Sequence, residues 1–186
     1  MSNPFARFAA YLGTRGRALR RDDSAATAVE FALLALPFFL IVGGLLQTSV
    51  VFLASHVLES AVQDASRQIR TGQLQLSGGN LTTFRSQICN RLFGLYADCG
   101  GLHLRVVEVT NFQSTDFVAP VNPACPENCT WTVPEAWAPG TGKSVVMVQA
   151  HYRYPIILQL GPLGMANLAD GNRLLGVATV FQNEPF

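Results

Sequence analysis

The chain has 186 residues, of which 49% are hydrophobic and only 13% carry a charge at neutral pH. This composition fits a membrane-anchored protein with one small domain better than a freely soluble or an intrinsically disordered chain. The formal net charge of +1 argues against a general nucleic-acid-binding protein.

The first 24 residues are rich in Arg, Gly and Ser and have little apolar periodicity. Five basic residues fall in this segment and are opposed only by Asp22 and Asp23: Arg7, Arg15, Arg17, Arg20 and Arg21. Because basic residues accumulate on the cytoplasmic side of membrane spans, this asymmetry places the N-terminus in the cytoplasm. We therefore predict a cytoplasmic leader over residues 1–25.

A long apolar segment follows, and no residue from Phe31 to Leu58 carries a full charge. About 20 helical residues are enough to cross a hydrocarbon core of roughly 30 Å. The segment therefore predicts a single transmembrane helix over residues 26–55. The alternative is a cleaved secretory signal ending near Val42-Gly43-Gly44, but the apolar run continues through Ala54.

The same helix is predicted to continue beyond the membrane as an amphipathic segment that ends near Gly72. Its apolar positions recur every three or four residues at Ala54, Leu58, Ala61, Ala65 and Ile69. After a Gly/Ser/Gln linker, Asn80 is a good N-cap for a short helix that closes near Gly94. The apolar face of that helix consists of Leu81, Phe84, Ile88 and Leu92.

Three later segments alternate between apolar and polar residues, as half-buried strands do: 102–109, 146–154 and 175–181. They predict a small antiparallel sheet packed on the long helix, which is an α+β arrangement, over an extracytoplasmic domain of residues 56–186. The apolar stretch Pro155–Asp170 lies between the second and third strands. It either packs against the sheet or lies on the membrane surface, and the sequence leaves both open.

All four cysteines lie beyond the predicted span, at Cys89, Cys99, Cys125 and Cys129. An even number of cysteines in an oxidising compartment predicts two disulfides. We favour Cys89–Cys99 with Cys125–Cys129, because each bond closes a short loop. A zinc site is the alternative, but the spacings match no paired Cys-x-x-Cys pattern, and no metal is predicted.

The segment from Asn111 to Gly142 contains five prolines and both tryptophans, and it predicts a long loop. One interpretation is a recognition surface built on Trp131 and Trp137. The other is a connection whose tryptophans fold back on the core. We favour the second interpretation, because buried aromatic residues are commoner than exposed anchors.

No catalytic pattern is present in the sequence, and we expect neither an enzyme nor a cofactor. The three histidines are scattered, at His56, His103 and His151. The candidate acids share no spacing that would pair two carboxylates: Glu108, Asp116, Glu127, Glu135 and Asp170. No glycine-rich phosphate loop follows a strand.

Residues Ala28–Pro37 read Ala-Val-Glu-Phe-Ala-Leu-Leu-Ala-Leu-Pro. This segment resembles the N-terminal signature of TadE-like proteins, minor pseudopilins of the tight-adherence (Flp, type IVb) pilus assembly system. The final residues, Val180–Phe186, are also similar to that family, whose members often end in a strand and a short Asn-Glu-Pro tail. The shortness of the chain argues against the longer TadG-like relatives, and a TadF-like protein remains the alternative.

The resemblance implies a pilin-like fold and processing by a prepilin peptidase between Ala25 and Ala26. Cleavage there would make Glu30 the fifth residue and would create an α-amino group that the carboxylate of a neighbouring subunit can pair with. Phe31 would follow as the first residue that contacts lipid or another helix. An uncut anchor is the alternative, because Ala25 occupies the position where pilin-type peptidases usually prefer glycine.

Taken together, the residues and the resemblance predict a single-pass protein of the bacterial inner membrane with a periplasmic C-terminal domain. The expected function is that of a minor pseudopilin-like subunit needed for assembly of an adhesive Tad pilus. Its expected partners are other pilin or pseudopilin subunits and Tad assembly proteins, with no nucleic acid. The alternative is a bitopic envelope protein whose outer domain binds a ligand through the Trp-containing loop.

Overall fold

The computed structural model describes residues 23–97, 99–113, 117, 119–125, 129–159 and 164–186. Residues 1–22 of the predicted leader, including its five arginines, lie outside the described residues. The chain divides into two compact units, Met1–Leu46 and Gln47–Phe186. The division by function stays a prediction: a leader over 1–25, a span over 26–55 and an outer domain over 56–186.

The first helix, α1 (Asp23–Arg70), has 48 residues and runs from the first unit into the second. In the second unit α1 has one buried face, made of Val51, Ala54, Leu58, Ala61, Val62, Ala65 and Ile69. The predicted stop is confirmed, because Gly72 follows with a φ of 75°. Glycine takes this left-handed conformation at little cost, which suits it to the end of a helix.

Two short helices follow α1. Helix α2 (Gln73–Leu76) occupies the segment predicted to be a linker, so that prediction was wrong. Helix α3 (Leu81–Cys89) begins as predicted after Asn80, whose Oδ1 accepts a 2.9 Å hydrogen bond from the N–H of Thr83. It ends earlier than predicted, because the chain tightens into turns in which Arg91 N–H donates to the carbonyl of Ile88.

Four strands form one sheet: β1 (His103–Val109), β2 (Ala136–Trp137), β3 (Val145–Pro155) and β4 (Asn172–Gln182). Their order is β2-β1-β3-β4. β3 is antiparallel to both β1 and β4, whereas β2 is parallel to β1. The sheet is therefore mixed and not purely antiparallel as predicted. The parallel strand β2 arises where the loop between β1 and β3 returns alongside β1. It could not be predicted, because a strand of two residues shows no alternation of apolar and polar residues.

The core lies between the sheet and the helices of the second unit, which confirms the predicted α+β class. Leu104 and Val106 of β1 are fully buried together with Leu58 of α1 and Phe84 of α3. Full burial of one such side chain contributes about 1.5–3 kcal/mol. Tyr96 adds a buried polar contact, since its hydroxyl donates a 2.7 Å hydrogen bond to the carbonyl of Ala54.

The structure joins Cys89 to Cys99 and Cys125 to Cys129, and it leaves no cysteine free. The first bond links the end of α3 to the short 3₁₀ helix Cys99–Gly101 that precedes β1. The second lies in a small cluster of buried residues that Trp131 covers. These are the pairings that the short loops favour.

Removing the Cys89–Cys99 bond by replacing both cysteines with serine is expected to lower the free energy of unfolding by about 2–4 kcal/mol. The bond spans 10 residues, whereas the Cys125–Cys129 bond spans 4. The same double replacement at Cys125 and Cys129 should therefore cost less, because a shorter loop restricts the unfolded chain less. Denaturant unfolding of the full chain in detergent micelles measures both, and equal losses would contradict the loop-length argument.

Candidate functional site

The residues of the signature segment lie in the first turns of α1. The proposed cleavage site, Ala25 and Ala26, is part of this helix. Glu30 and Phe31 follow about one turn later, and both side chains are exposed, Phe31 to 70%. Among the described residues no ion pair involves Glu30. The carboxylate is thus presented outward beside an aromatic side chain.

The helix after Glu30 exposes an unusually large apolar surface. The exposed residues include Leu33, Leu34, Leu36, Phe38, Phe39, Leu40, Ile41, Leu45 and Leu46. Within the described part of the chain, one helix, over Thr27–Arg70, is long and apolar enough to cross a membrane. α1 is therefore a candidate membrane span. An apolar surface of this extent requires lipid or other apolar helices around it.

Part of α1 matches a known protein family. Residues 25–67 match the family model described as TadE-like protein. This segment is TadE-like. The match begins at Ala25, includes Glu30 and Phe31, and ends inside α1, so it confirms the resemblance seen in Ala28–Pro37. It supports a role related to the Tad pilus. Searches of curated proteins and of solved structures gave no match to the chain.

Beyond the TadE-like segment, the loop before β3 folds back on the domain. Trp137 lies in β2, is half-buried and packs against the ring of Phe84 with 5.6 Å between ring centres. Trp131 stacks on the imidazole of His103 at 4.3 Å, and the guanidinium of Arg153 lies 5.1 Å from its ring centre. Both rings therefore stabilise the loop, and whether either also contacts a partner stays a prediction.

The structure brings together charged residues that the sequence keeps far apart. Arg85 of α3 donates to both carboxylate oxygens of Glu135 at 2.6 and 2.7 Å, and Glu135 also accepts from the N–H of Leu104 at 2.9 Å. Burial alone would raise the pKa of Glu135, but the hydrogen bonds from Arg85 and Leu104, together with the charges of Arg85 and His103, outweigh it and the pKa is lowered. The carboxylate thus acts as a fixed acceptor that satisfies the N–H of Leu104 in β1 and ties α3 to the loop before β2.

Two histidines are cross-strand neighbours on the same face of the sheet, since His103 of β1 pairs with His151 of β3. His103 is buried, and burial lowers its pKa despite the opposing charge of Glu135. Burial, with smaller effects of His103 and Arg105, lowers the pKa of His151 to about 4. Gly176 of β4 lies opposite His151, and a Cβ there would come within 2.9 Å of the imidazole Cδ2. Burial thus favours the neutral form of both rings.

Stability is expected to fall in acid because His151 is neutral in the fold. Its folded pKa of about 4 lies below the ordinary value of 6.5, so protonation favours the unfolded chain as the pH falls from 6.5 toward 4. The loss between pH 7 and pH 5 should be about 2 kcal/mol. His151→Gln should flatten this dependence, leaving the smaller part due to His103, whereas the exposed His56→Gln should not. Denaturant unfolding in detergent, repeated across this pH range, measures the free energy of unfolding of both variants. The same pH dependence in both would contradict the assignment of the acid loss to His151.

The remaining candidate acids do not converge. Glu108 accepts a 2.6 Å hydrogen bond from the hydroxyl of Ser144, and Asp170 accepts from the N–H of Asn172 in a turn. Asp116 and Glu127 lie outside the described residues. Among the residues that are described, no three His, Cys, Asp or Glu side chains lie close enough to hold a metal ion.

Proposed function

We propose that this chain is a minor pseudopilin-like subunit that helps to assemble an adhesive Tad pilus. In this proposal α1 inserts among the helices of other pilin or pseudopilin subunits and Tad assembly proteins. The role is structural, with no catalytic step and no cofactor. The observation that carries the proposal is the exposed Glu30 at the start of an exposed apolar helix that matches the TadE-like family.

The chemistry of Glu30 supports contact between subunits. A carboxylate at the edge of a bilayer is costly unless it finds a partner, and the described residues supply no ion pair for it. Cleavage between Ala25 and Ala26 by a prepilin peptidase would create an α-amino group five residues from Glu30, counting inclusively. The ammonium group of one subunit would then pair with the Glu30 carboxylate of its neighbour, and losing either group would leave the other unpaired.

The proposed location is the bacterial inner membrane, crossed once by α1. The N-terminus is cytoplasmic, because the basic residues of the chain before Glu30 favour that side. The domain after α1 is then periplasmic, an oxidising compartment that suits the two disulfides.

Exchange of the apolar helix tests this proposal. A chimera keeps residues up to Glu30 but replaces Phe31–Leu46 with an unrelated apolar sequence of the same length. In a strain lacking the gene, the wild-type chain should restore pili and the chimera should not, although both resist extraction from membranes by carbonate. Full piliation with the chimera would contradict the proposal and would favour the bitopic ligand-binding alternative, for which any anchor suffices.

A further inference from the structure

The side chain of Gln47 in α1 is hydrogen-bonded to the segment that follows β3. The amide of Gln47 makes two hydrogen bonds to the backbone of Leu158: its Oε1 accepts from the Leu158 N–H at 2.6 Å, and its Nε2 donates to the Leu158 carbonyl at 3.2 Å. Ile156 next to it is buried in the core, whereas Ile157 is 92% exposed. An almost fully exposed isoleucine is therefore held at a fixed position along α1.

The position of Gln47 along α1 decides what surrounds Ile157. Gln47 comes 16 residues after Phe31, which is a distance of about 24 Å along a helix. A hydrocarbon core of roughly 30 Å that begins at Phe31 therefore extends past Gln47. Val50, Phe52 and Leu53 of the next helical turn are also exposed, and the first charged residue after Glu30 is Glu59.

The two hydrogen bonds fit a site that is short of water. Inside a bilayer every backbone N–H and carbonyl must find a partner within the protein. Both polar groups of Leu158 find theirs on Gln47, and both polar atoms of the Gln47 amide are used in return. This contact explains why Gln47 can lie within the apolar run of α1.

We propose that the segment around Ile157 is a second membrane contact, which lies against the acyl chains of the outer leaflet and fixes the depth of the domain. The proposal rests on the membrane anchoring included in the proposed function, but it does not depend on pilus assembly. The occupant of the surface is lipid, because Gln47 and the exposed Val50, Phe52 and Leu53 belong to the helix that is long and apolar enough to cross a membrane.

The test places a fluorophore at one position at a time in the full chain. Single cysteines are introduced by Ile157→Cys, Leu76→Cys and Leu40→Cys and labelled with an NBD group without reductant, since all native cysteines are paired. Leu76 is the matched control, because it is 76% exposed and lies six residues beyond Arg70, the C-terminal end of α1. The labelled proteins are placed in phosphatidylethanolamine and phosphatidylglycerol vesicles that contain lipids with nitroxides near the top and near the end of the acyl chain, so that both shallow and deep positions are quenched.

The proposal predicts that the label at position 157 loses most of its fluorescence, as the label at position 40 does, while the label at position 76 keeps it. Equal fluorescence at positions 157 and 76 would overturn the proposal, and quenching at position 40 would then show that the anchor itself stands. A label at position 157 that is shielded from water but not quenched would assign the surface to a protein and would also overturn it. Absence of quenching at positions 157 and 40 would overturn both the proposal and the anchor.

Gln47→Leu adds a second measurement that keeps the helix apolar but removes the attachment. Combined with Ile157→Cys, this replacement should reduce the quenching of the label at position 157. Combined with Leu40→Cys, it should leave the quenching of the label at position 40 unchanged. Unchanged quenching at position 157 would show that Gln47 does not hold the segment at this depth.

Discussion

Replacement of Glu30 with glutamine is expected to abolish piliation while the protein stays in the membrane at its normal level. Glutamine keeps the size and the hydrogen-bonding capacity of the side chain but removes its charge. An α-amino group of a neighbouring subunit would then remain unpaired in a medium of low dielectric constant, which is far more costly than an unpaired charge in water. Complementation of a strain that lacks the gene, with pili counted by electron microscopy, measures the effect.

Glu59→Gln is the matched control for this experiment. Glu59 lies on the same helix and is exposed, with its carboxylate near His56 and Gln63. Exposed pairs of this kind contribute little, typically below about 1 kcal/mol, so its loss should leave piliation normal. Normal piliation in Glu30→Gln would refute assembly through Glu30, and equal loss in both variants would point to a general effect of charge on the helix.

Replacement of Phe84 with alanine is expected to lower the free energy of unfolding by about 3–5 kcal/mol. Phe84 of α3 has no exposed surface and packs against Trp137 as well as the core between the helices and the sheet. Alanine would leave a cavity there, and β2 would lose the ring that holds Trp137 in place. Typical domains are stable by only 5–15 kcal/mol, so the domain would become marginal.

Phe93→Ala is the control for this loss, because it removes the same side chain at a position that is 83% exposed. Its effect should stay within about 0.5 kcal/mol, as for most surface replacements. Denaturant unfolding of both full-length variants in detergent, followed by tryptophan fluorescence, provides the comparison. A loss below 1 kcal/mol in Phe84→Ala would mean that α3 is not part of the core described here.

The sequence was informative wherever a local period or a local motif decides the structure. The spacing from Ala54 to Ile69 predicts the buried face of α1, and alternation predicts β1, β3 and β4. The segment Ala28–Pro37 carries enough of the family signature for the TadE-like resemblance. These features depend on neighbours that are close in sequence, which a single chain displays directly.

Features that depend on distant neighbours could not be predicted. β2 has two residues, and only the return of the loop beside β1 makes it a strand. The pair Arg85–Glu135 joins residues 50 positions apart, and the Gln47–Leu158 contact joins residues 111 positions apart. The pairing of His103 with His151 requires the register of β1 and β3. No period in the sequence encodes such pairings, although a polar residue inside an apolar run, as at Gln47, signals that a partner is needed.

In the proposed function, the new N-terminus of the processed chain pairs with Glu30 of a neighbouring subunit. The most direct test is the N-terminal sequence of the protein extracted from membranes, together with its intact mass measured without reduction. This pairing requires a chain that starts at Ala26, and we expect that chain to lack the four hydrogens that two disulfides remove. A chain that still carries residues before Ala26 would contradict it, because no α-amino group would then lie at the membrane edge to pair with Glu30.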